Sequence, residues 1–276
     1  MLELAVSSWS LHRALGPVYR EPSYSGGERP AEYPYGEGEL TLLDLPARLN
    51  REGIHNLEIC HFHFPLTDPV YLHELRHNLK LNGIELKTIL IDSGDITAAD
   101  PAARRKDIDW MGGWIDIAAQ VGAERVRIIA GRAEPSAEAV QRSVDALRGL
   151  SRYARSHDLD VITENWYSLT MSPETLLQIL NQLQGRVGLC ADFGNSGNDR
   201  GPEKYEKLRK ILPRAASIHA KAHYPEAGRV DRDDFIRCLD LSREANFAGT
   251  YVLIFDGPGD EWASLTEMAS IVKGYL

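Results

Sequence analysis

Runs of β-branched and aliphatic residues alternate along the chain with segments in which apolar residues recur every three or four positions. The apolar runs are short, and eight of them are present, over residues 4–10, 56–62, 86–92, 125–131, 160–166, 187–193, 217–223 and 250–256. Runs of this kind are typical of buried strands. The segments between them have the spacing of helices that bury one face, over residues 42–53, 71–83, 114–123, 136–157 and 172–185.

Strand–helix units that repeat eight times predict a parallel sheet covered by helices. In a chain of 276 residues, eight units fit a closed (β/α)8 TIM barrel, so we predict an α/β fold with one barrel domain over residues 1–276. An open doubly wound sheet is the alternative. It usually carries a Gly-rich phosphate turn after its first strand, and the sequence SSWSLH at that point is not such a turn.

The connection after the first predicted strand is unusually long. Residues 17–40 are rich in Pro, Gly and Tyr and show no periodicity. Connections of this length in compact domains often form lids or binding loops, so we predict a lid, with a flexible surface insertion as the alternative. Residues 96–107 form a shorter connection that we interpret as structural.

Composition and charge narrow the classes of partner. Hydrophobic residues make up 43% of the chain and the net charge is −9, which disfavours a nucleic-acid partner. No apolar run approaches the roughly 20 residues of a membrane span, and the N-terminal residues do not resemble a signal peptide. The three cysteines, Cys60, Cys190 and Cys238, form no CxxC pair, which fits a reduced protein. We therefore expect a cytoplasmic protein with no membrane or nucleic-acid partner.

Polar residues cluster where the predicted strands end, which is the end of a barrel that carries active sites. Glu164, Asp192 and His219 come from three consecutive strands, and two carboxylates with an imidazole suit Mn²⁺, Mg²⁺, Zn²⁺ or Co²⁺. A cation would explain why Glu164 ends the buried run of VITENW, because an uncompensated buried carboxylate is costly. The strand ends also carry Asp92 and Arg132. The other candidates there, for substrate binding or catalysis, are Trp9, His12, Glu58, His61, His63, Arg127, Asn165, Trp166, Asn195, Lys221, His223 and Asp256.

Each candidate also has a structural interpretation. Glu164 and Asp192 can form buried ion pairs with Lys221 or Arg127, and His219 can be a core histidine bonded to a carbonyl group. Arg127 lies mid-strand and needs an anionic partner, from the protein or from a substrate. Trp9 and Trp166 can wall a sugar site or simply pack in the core.

Strand parity limits which side chains can face the barrel axis. Lys221 and His223 share the parity of His219, so all three can face inward, and Lys221 suits a phosphate, carboxylate or enolate oxygen. In the HFHF segment, His61 and His63 have the parity opposite to Glu58. Either Glu58 or one of these histidines is therefore expected to line the site.

The stretches GIHNLEICHFHF, TENW, CADFGN and IHAKAH resemble the xylose isomerase-like TIM-barrel superfamily of sugar and sugar-phosphate isomerases and epimerases, a likeness that covers essentially the whole chain. The resemblance implies a divalent metal held by Glu164, Asp192 and His219 on strands five to seven. It also implies a Glu on strand eight, where this chain has Ile254. Asn195 stands where many relatives carry a His.

The departure at Ile254 affects the chemistry that the resemblance implies. Epimerases of this superfamily use two Glu residues to exchange protons at the two faces of the substrate, and here one is missing. Asp256 shares the face of Ile254 but lies about 6–7 Å further along the strand. It can bind the metal through water, act on the substrate, or cap the loop that follows.

The leading hypothesis is a metal-dependent sugar or sugar-phosphate isomerase or epimerase that acts through an enediolate, with Glu164, Lys221 and Asp256 as catalytic residues. The alternatives are a dehydratase of the inosose type and a barrel that binds a sugar or metabolite without turnover. An abasic-site endonuclease, with His61, His63 and His223 as extra metal ligands, is disfavoured by Asn195 and by the acidic charge. The exposed apolar helix faces make a homodimer one option.

Overall fold

Eight parallel strands form a closed barrel in this computed structural model, which describes residues 2–20, 29–196, 201–226 and 228–276. Each strand pairs with the next along the chain, and the eighth pairs with the first. The predicted (β/α)8 barrel is therefore confirmed. The strands are β1 (Glu3–Ser7), β2 (Asn56–Cys60), β3 (Glu85–Ile91), β4 (Arg125–Ile128), β5 (Asp160–Glu164), β6 (Val187–Asp192), β7 (Ala215–Lys221) and β8 (Thr250–Ile254).

Each predicted apolar run forms a strand that ends one to three residues earlier than the run. The chain leaves the sheet near the polar residues that close each run. After β1 and β2 it turns directly into short 3-10 helices, over Ser8–Leu11 and His61–His63. Side chains beyond those points therefore no longer follow the alternation of a strand.

Helices cover the outside of the barrel. They are α1 (His12–Leu15), α2 (Leu45–Arg51), α3 (Pro69–Leu81), α4 (Pro101–Val121), α5 (Ala137–Arg155), α6 (Tyr167–Met171), α7 (Pro173–Leu183), α8 (Pro202–Ile211), α9 (Arg232–Glu244) and α10 (Glu261–Val272). Two further 3-10 turns, Leu212–Arg214 and Lys273–Tyr275, follow α8 and α10. Over the described residues, no helix has both the length and the apolar character needed to cross a membrane.

The start of α4 corrects one prediction. Residues 101–107 were expected to belong to a connection, but α4 already begins at Pro101. The side chain of Asp100 accepts hydrogen bonds from the backbone N–H groups of Ala102 and Ala103, and Pro101 occupies the first helical position. An Asp cap followed by Pro is a strong helix start, and here it outweighs the absence of apolar periodicity in the first two turns.

The apolar core lies mainly between the strands and the helices. Outward-facing strand residues such as Ile59, Val126 and Leu189 belong to this layer together with helix residues. Inside the barrel, a small separate cluster contains Ala5 and Val252. Because the outer layer buries most of the apolar surface, the inner face of the strands is free to carry polar side chains at its carboxyl end.

Within the described parts of the long connection, residues 18–20 and Arg29 lie against the carboxyl end of β2. Val18 pairs with Glu32 through backbone hydrogen bonds. The Arg29 guanidinium donates to the carbonyl oxygens of His61 and Phe64 at 3.1 and 3.0 Å. Residues 21–28 of the predicted lid lie outside the described residues, so the lid stays a prediction.

Candidate active site

A cavity of about 500 Å³ opens at the carboxyl ends of the strands. Every strand contributes at least one side chain to its wall, either from the strand itself or from the residues that follow. Nine of the predicted site residues line it, namely Trp9, Arg127, Glu164, Trp166, Asp192, Asn195, His219, Lys221 and Asp256.

His219 stands at the centre of the polar wall. Its Nδ1 is 3.6 Å from Glu164 Oε1 and 3.6 Å from Asp192 Oδ2, and all three side chains are buried. These distances are longer than ordinary hydrogen bonds. Ligands about 2.0–2.2 Å from one ion lie roughly 3.0–3.5 Å apart, so each carboxylate oxygen lies nearly as far from Nδ1 as two ligands of one divalent cation would.

The other ring nitrogen of His219, Nε2, contacts a further buried carboxylate, that of Glu58. Nε2 lies 2.9 Å from Glu58 Oε2, and Glu58 Oε1 accepts a 2.6 Å hydrogen bond from the Thr88 hydroxyl. A carboxylate behind the imidazole fixes its orientation, as carboxylates do behind metal-binding histidines. Burial alone raises the pKa of Glu58, but its bonds to His219 and Thr88 outweigh burial and lower that pKa. Glu58 thus lies beneath the cavity and acts on it through His219.

Asp192 is fixed by the loops on either side of it. The Asn165 side chain accepts from the Asp192 N–H at 2.7 Å and donates to the Asp192 carbonyl at 3.0 Å. Asp192 Oδ1 accepts from the N–H groups of Gly194 and Asn195, at 2.6 and 3.0 Å. These bonds leave Oδ2 directed toward His219. Asn165 therefore orients Asp192 and does not itself line the cavity.

Asn195 lines the cavity and contacts Glu164. Its side-chain N–H donates to Glu164 Oε1 at 2.8 Å. Residue 194 is glycine, and a Cβ at that position would lie 2.6 Å from the Cδ of Lys221, so the glycine leaves room for the Lys221 side chain. Asn195 thus holds a candidate ligand in place.

Arg127 forms a buried ion-pair chain with two carboxylates. Its guanidinium is 2.5 Å from Asp92 Oδ1 and 3.1 Å from Glu164 Oε2, and it lies over the Trp166 ring at 5.4 Å. Burial by itself raises the pKa of Asp92, but the charge of Arg127 outweighs it and lowers that pKa. Arg127 thus has the anionic partners that its position required, and Glu164 carries an ion pair on one oxygen while the other faces His219.

The end of β8 places an apolar residue and an ion pair in the wall. Ile254 lines the cavity and packs in the small interior cluster with Ala5 and Val252. Asp256 also lines the cavity, and its Oδ2 lies 2.5 Å from Lys221 Nζ. Burial lowers the pKa of Lys221, but the negative charges of Asp192 and Asp256 outweigh it and raise that pKa.

The structure places His61 and His63 away from the cavity. His61 contacts the rings of Trp110 and Trp114 on α4, and its Nε2 lies 3.2 Å from the Ser93 hydroxyl. His63 Nδ1 lies 2.7 Å from the Ser8 hydroxyl. Both residues stand in the 3-10 turn after β2, so strand parity does not govern where they point.

His12 and His223 also lie outside the cavity wall. His12 Nδ1 is 2.5 Å from the Trp9 carbonyl oxygen, and its ring packs on Tyr35 with centroids 4.1 Å apart. His223 lines a neighbouring cavity of about 330 Å³ that shares Lys221 and Asp256 with the main one. Substrate contact by these two histidines stays a prediction.

The site also contains Arg20, Tyr167 and Cys190, which the sequence analysis did not select. Arg20 and Tyr167 line the cavity, and the Arg132 guanidinium lies over the Tyr167 ring at 4.5 Å. Cys190 is buried beside the cluster: donor atoms of Glu164, Cys190 and His219 all lie within 4.8 Å of one another. Parity could have identified Cys190, because it lies two residues before Asp192 on the same face of its strand.

The two buried histidines of the β2 turn make the stability of the protein sensitive to acid. Burial lowers the pKa of both His61 and His63 to about 3. Each imidazole therefore stays neutral when folded but takes up a proton when unfolded, below an ordinary pKa of about 6.5. Since the unfolded state binds more protons, the free energy of unfolding falls as the pH falls from about 6.5 toward 3.

In His63→Asn, the free energy of unfolding is expected to fall less steeply with pH, by about 1 kcal/mol per pH unit between about pH 5.5 and 4, because one titrating group is removed. Urea unfolding at a series of pH values measures it. His77→Asn, at an exposed position on α3, is the matched control and should leave the slope unchanged. An unchanged slope in His63→Asn would show that His63 takes up its proton in the folded state.

The chain is similar to known proteins both in its sequence family and in its fold. The family model described as xylose isomerase-like TIM barrel matches residues 46–262. A D-allulose 3-epimerase from Methylomonas sp. is similar in structure, with 15% sequence identity, a TM-score of 0.69 and coverage of 100% of this chain and 98% of that chain. No curated protein matches the sequence.

Two further solved structures are similar and carry metals. One is a xylose isomerase-like TIM-barrel protein from Mycobacterium smegmatis in complex with magnesium, at 16% identity and a TM-score of 0.70, covering 98% of this chain and 95% of that chain. The other is an IolI protein with a bound zinc atom, at 16% identity and a TM-score of 0.70, covering 99% of each chain. At such identities the likeness establishes a shared fold.

Proposed function

The chain belongs to the xylose isomerase-like TIM-barrel family, and from that premise we propose that it is a metal-dependent sugar isomerase or epimerase. Its substrate would be a small polyhydroxylated keto compound or the corresponding phosphate. The observation that carries the proposal is the position of His219 Nδ1, 3.6 Å from both Glu164 Oε1 and Asp192 Oδ2 in the cavity wall. Similar folds include a protein named as a D-allulose 3-epimerase.

The donor set suits a divalent cation. Glu164, Asp192 and His219 would hold it, with His219 oriented by Glu58 on the opposite ring nitrogen. Oxygen and imidazole donors of this kind accept Mn²⁺, Mg²⁺, Zn²⁺ or Co²⁺. Such a cation, when bound, polarises a substrate carbonyl and stabilises an enediolate.

The chain itself would supply proton transfer and positioning. Glu164 lies in the cavity wall, where its carboxylate can move a proton at the carbon next to a substrate carbonyl. Lys221 Nζ, also in the wall, can hold a substrate oxygen by charge-assisted hydrogen bonding. Its partner Asp256 keeps this ammonium in place. Trp9 and Trp166 would border the carbon skeleton.

Ile254 favours chemistry at one face of the substrate. The wall formed by β8 presents an alkyl group where a second carboxylate would take or return a proton. An isomerase that moves one proton on one face needs a single base, whereas an epimerase needs a second group opposite. The same feature supports a dehydratase of the inosose type as the second candidate function, because dehydration next to a carbonyl also begins with one base.

Two arginines at the cavity favour a substrate with an anionic end. Arg20 and Arg132 both line it and are exposed, and within the described residues neither forms an ion pair with a carboxylate. Arg132 donates to the carbonyl oxygens of Asp92 and Gly94, at 2.6 and 3.2 Å. Guanidinium groups bind phosphate and carboxylate well, which supports sugar phosphates among the candidates.

No observation favours the endonuclease hypothesis. It needs additional histidine ligands, and His61 and His63 point away from the cavity while His223 lines a neighbouring one. A barrel that binds sugar without turnover shares the geometry of the leading proposal, so experiment must separate the two.

The proposal predicts metal-dependent exchange of substrate hydrogen with solvent. Protein loaded with each of the four cations is incubated in D₂O with ketoses, ketose phosphates and inososes, and deuterium is followed by NMR. We expect near-stoichiometric metal and deuterium entry next to the carbonyl of one class. A Glu164→Ala, Asp192→Ala double variant should lose the metal, while Glu174→Ala, an exposed acidic residue on α7, should keep it. Ligand binding without exchange would identify a binding protein, and absence of metal binding would overturn the proposal.

A further inference from the structure

A divalent cation held by Glu164, Asp192 and His219 would have three protein donors, and β8 supplies no fourth. Ile254 has no donor atom and packs against Ala5 and Val252. Asp256 lies further along the chain and is paired with Lys221 at 2.5 Å. A fourth protein ligand would therefore have to come from elsewhere in the barrel.

We propose that Cys190 is this ligand, and that its sulfur makes the centre selective for borderline-soft cations such as Zn²⁺ and Co²⁺ over Mg²⁺. The inference rests on the proposed function only in requiring that the site binds a metal.

The position of Cys190 in the barrel carries the proposal. It lies directly beside Glu164 in the β5–β6 pairing, and it precedes Asp192 by two residues on β6. Its sulfur, a Glu164 carboxylate oxygen and a His219 ring nitrogen all lie within 4.8 Å of one another. The carboxylate oxygen Oδ2 of Asp192 lies 3.6 Å from His219 Nδ1. Oxygen, nitrogen and sulfur donors thus converge from three adjacent strands.

The surroundings of the three cysteines differ. A buried cysteine most often packs as a small apolar residue, and two of them do so here. Cys60 packs with Val18, Phe62 and Leu90. Cys238 lies on the buried side of α9 and belongs to the main core. Cys190 is equally buried, but among the described residues it belongs to no apolar cluster and instead faces a carboxylate and an imidazole.

Sulfur ligation changes which metals the site prefers. Thiolate binds Zn²⁺ and Co²⁺ well, whereas Mg²⁺ prefers oxygen ligands and keeps its water. When the metal binds, the thiol of Cys190 would release its proton to solvent, and the resulting thiolate would bind the metal. No oxidant or further reactant is needed. Without the sulfur, the remaining oxygen and nitrogen donors discriminate less between these ions.

Cobalt provides a readout that is independent of catalysis. Metal-free protein is titrated with Co²⁺, and absorption in the near ultraviolet reports sulfur-to-cobalt charge transfer. We expect this band in the wild-type protein and in Cys60→Ser, the matched control at another buried cysteine, which itself lines the cavity. We expect it to be absent in Cys190→Ser. Zinc affinity, measured by competition with a chromophoric chelator, should fall at least about 10-fold in Cys190→Ser, since even residues one step removed from a ligand have that effect.

The proposal stays open to refutation even if Cys190→Ser does not fold, because the wild-type and Cys60→Ser spectra alone can overturn it. Bound Co²⁺ without the charge-transfer band overturns the proposal, as does wild-type zinc affinity in a folded Cys190→Ser variant. The band together with a failure of every substrate to exchange hydrogen would support Cys190 as a ligand while overturning the isomerase proposal. Hydrogen exchange of a substrate by a cobalt-loaded protein without the charge-transfer band would support the isomerase proposal and overturn Cys190 as a ligand.

Discussion

Replacing Glu164 with Gln is expected to lower turnover about 10²–10⁴-fold, the usual contribution of a positioned acid–base group, while the barrel stays folded. The amide has the shape of the carboxylate and can still accept the 2.8 Å hydrogen bond from Asn195. It cannot take up a proton from carbon, and it is a weaker metal ligand. Arg127 keeps Asp92 as a counter-charge at 2.5 Å, so the variant does not leave a buried cation unpaired.

The measurement is the rate of deuterium entry into the substrate that the wild-type protein accepts, at saturating metal. Circular dichroism and thermal unfolding report whether the fold is retained. Glu174→Gln, on the surface of α7, should exchange at the wild-type rate. A folded Glu164→Gln protein with normal exchange would exclude Glu164 as the base and leave Lys221 and Asp256 as the candidates for proton transfer.

Replacing Arg127 with Met is expected to lower the free energy of unfolding of the metal-free protein by about 3–5 kcal/mol, because the change leaves the buried Glu164 and the partly buried Asp92 without their cation. Asp92 and Glu164 both contact this guanidinium, and its side chain is only 3% exposed. Urea unfolding in the presence of a chelator measures the loss. Arg125→Met is the matched control on the same strand: Arg125 pairs with a partly exposed Glu124, so the cost should be below about 1 kcal/mol.

The pH dependence separates this charge effect from a simple loss of packing. In the wild-type protein the pKa of Asp92 is lowered, because the charge of Arg127 outweighs burial. Its contribution to stability is therefore present above the ordinary Asp pKa of about 4 and is lost as the pH falls through the lowered value. Without Arg127, the largest influence that opposes burial is removed, so the carboxyl takes up a proton at higher pH. The difference between wild type and variant should thus be largest near neutral pH and shrink toward about pH 4. A difference that does not change with pH would indicate packing alone.

The ion-pair chain of Asp92, Arg127 and Glu164 connects stability with the proposed chemistry. Arg127 engages one oxygen of Glu164 and leaves the other facing His219. The guanidinium therefore orients the carboxylate and offsets its charge in a buried site. The structural and functional interpretations of Glu164 are compatible, because its two oxygens have different partners.

Hydrophobic alternation along the chain predicted the eight strands and the position of Glu164, Asp192 and His219 near the ends of consecutive strands. The number of units and the absence of a Gly-rich turn after the first strand favoured the closed barrel over an open sheet. These features depend on local pattern, because apolar runs with helical segments between them bury their surface in a parallel sheet covered by helices. The start of α4 was missed because its signal is a cap, Asp100 with Pro101, and not a periodicity. Side-chain direction within a regular strand also follows from parity, which is why Cys190 could have been identified.

Contacts between residues far apart in the chain followed only from the tertiary structure. His61 and His63 turn toward α4 and Ser8 because a 3-10 helix ends the alternation after β2. Lys221 pairs with Asp256, and Arg127 lies between Asp92 and Glu164. Such pairings depend on how neighbouring strands are staggered and on which side chain reaches across the barrel. Buried charges take whichever partner best compensates their desolvation, and strand order alone does not specify that partner.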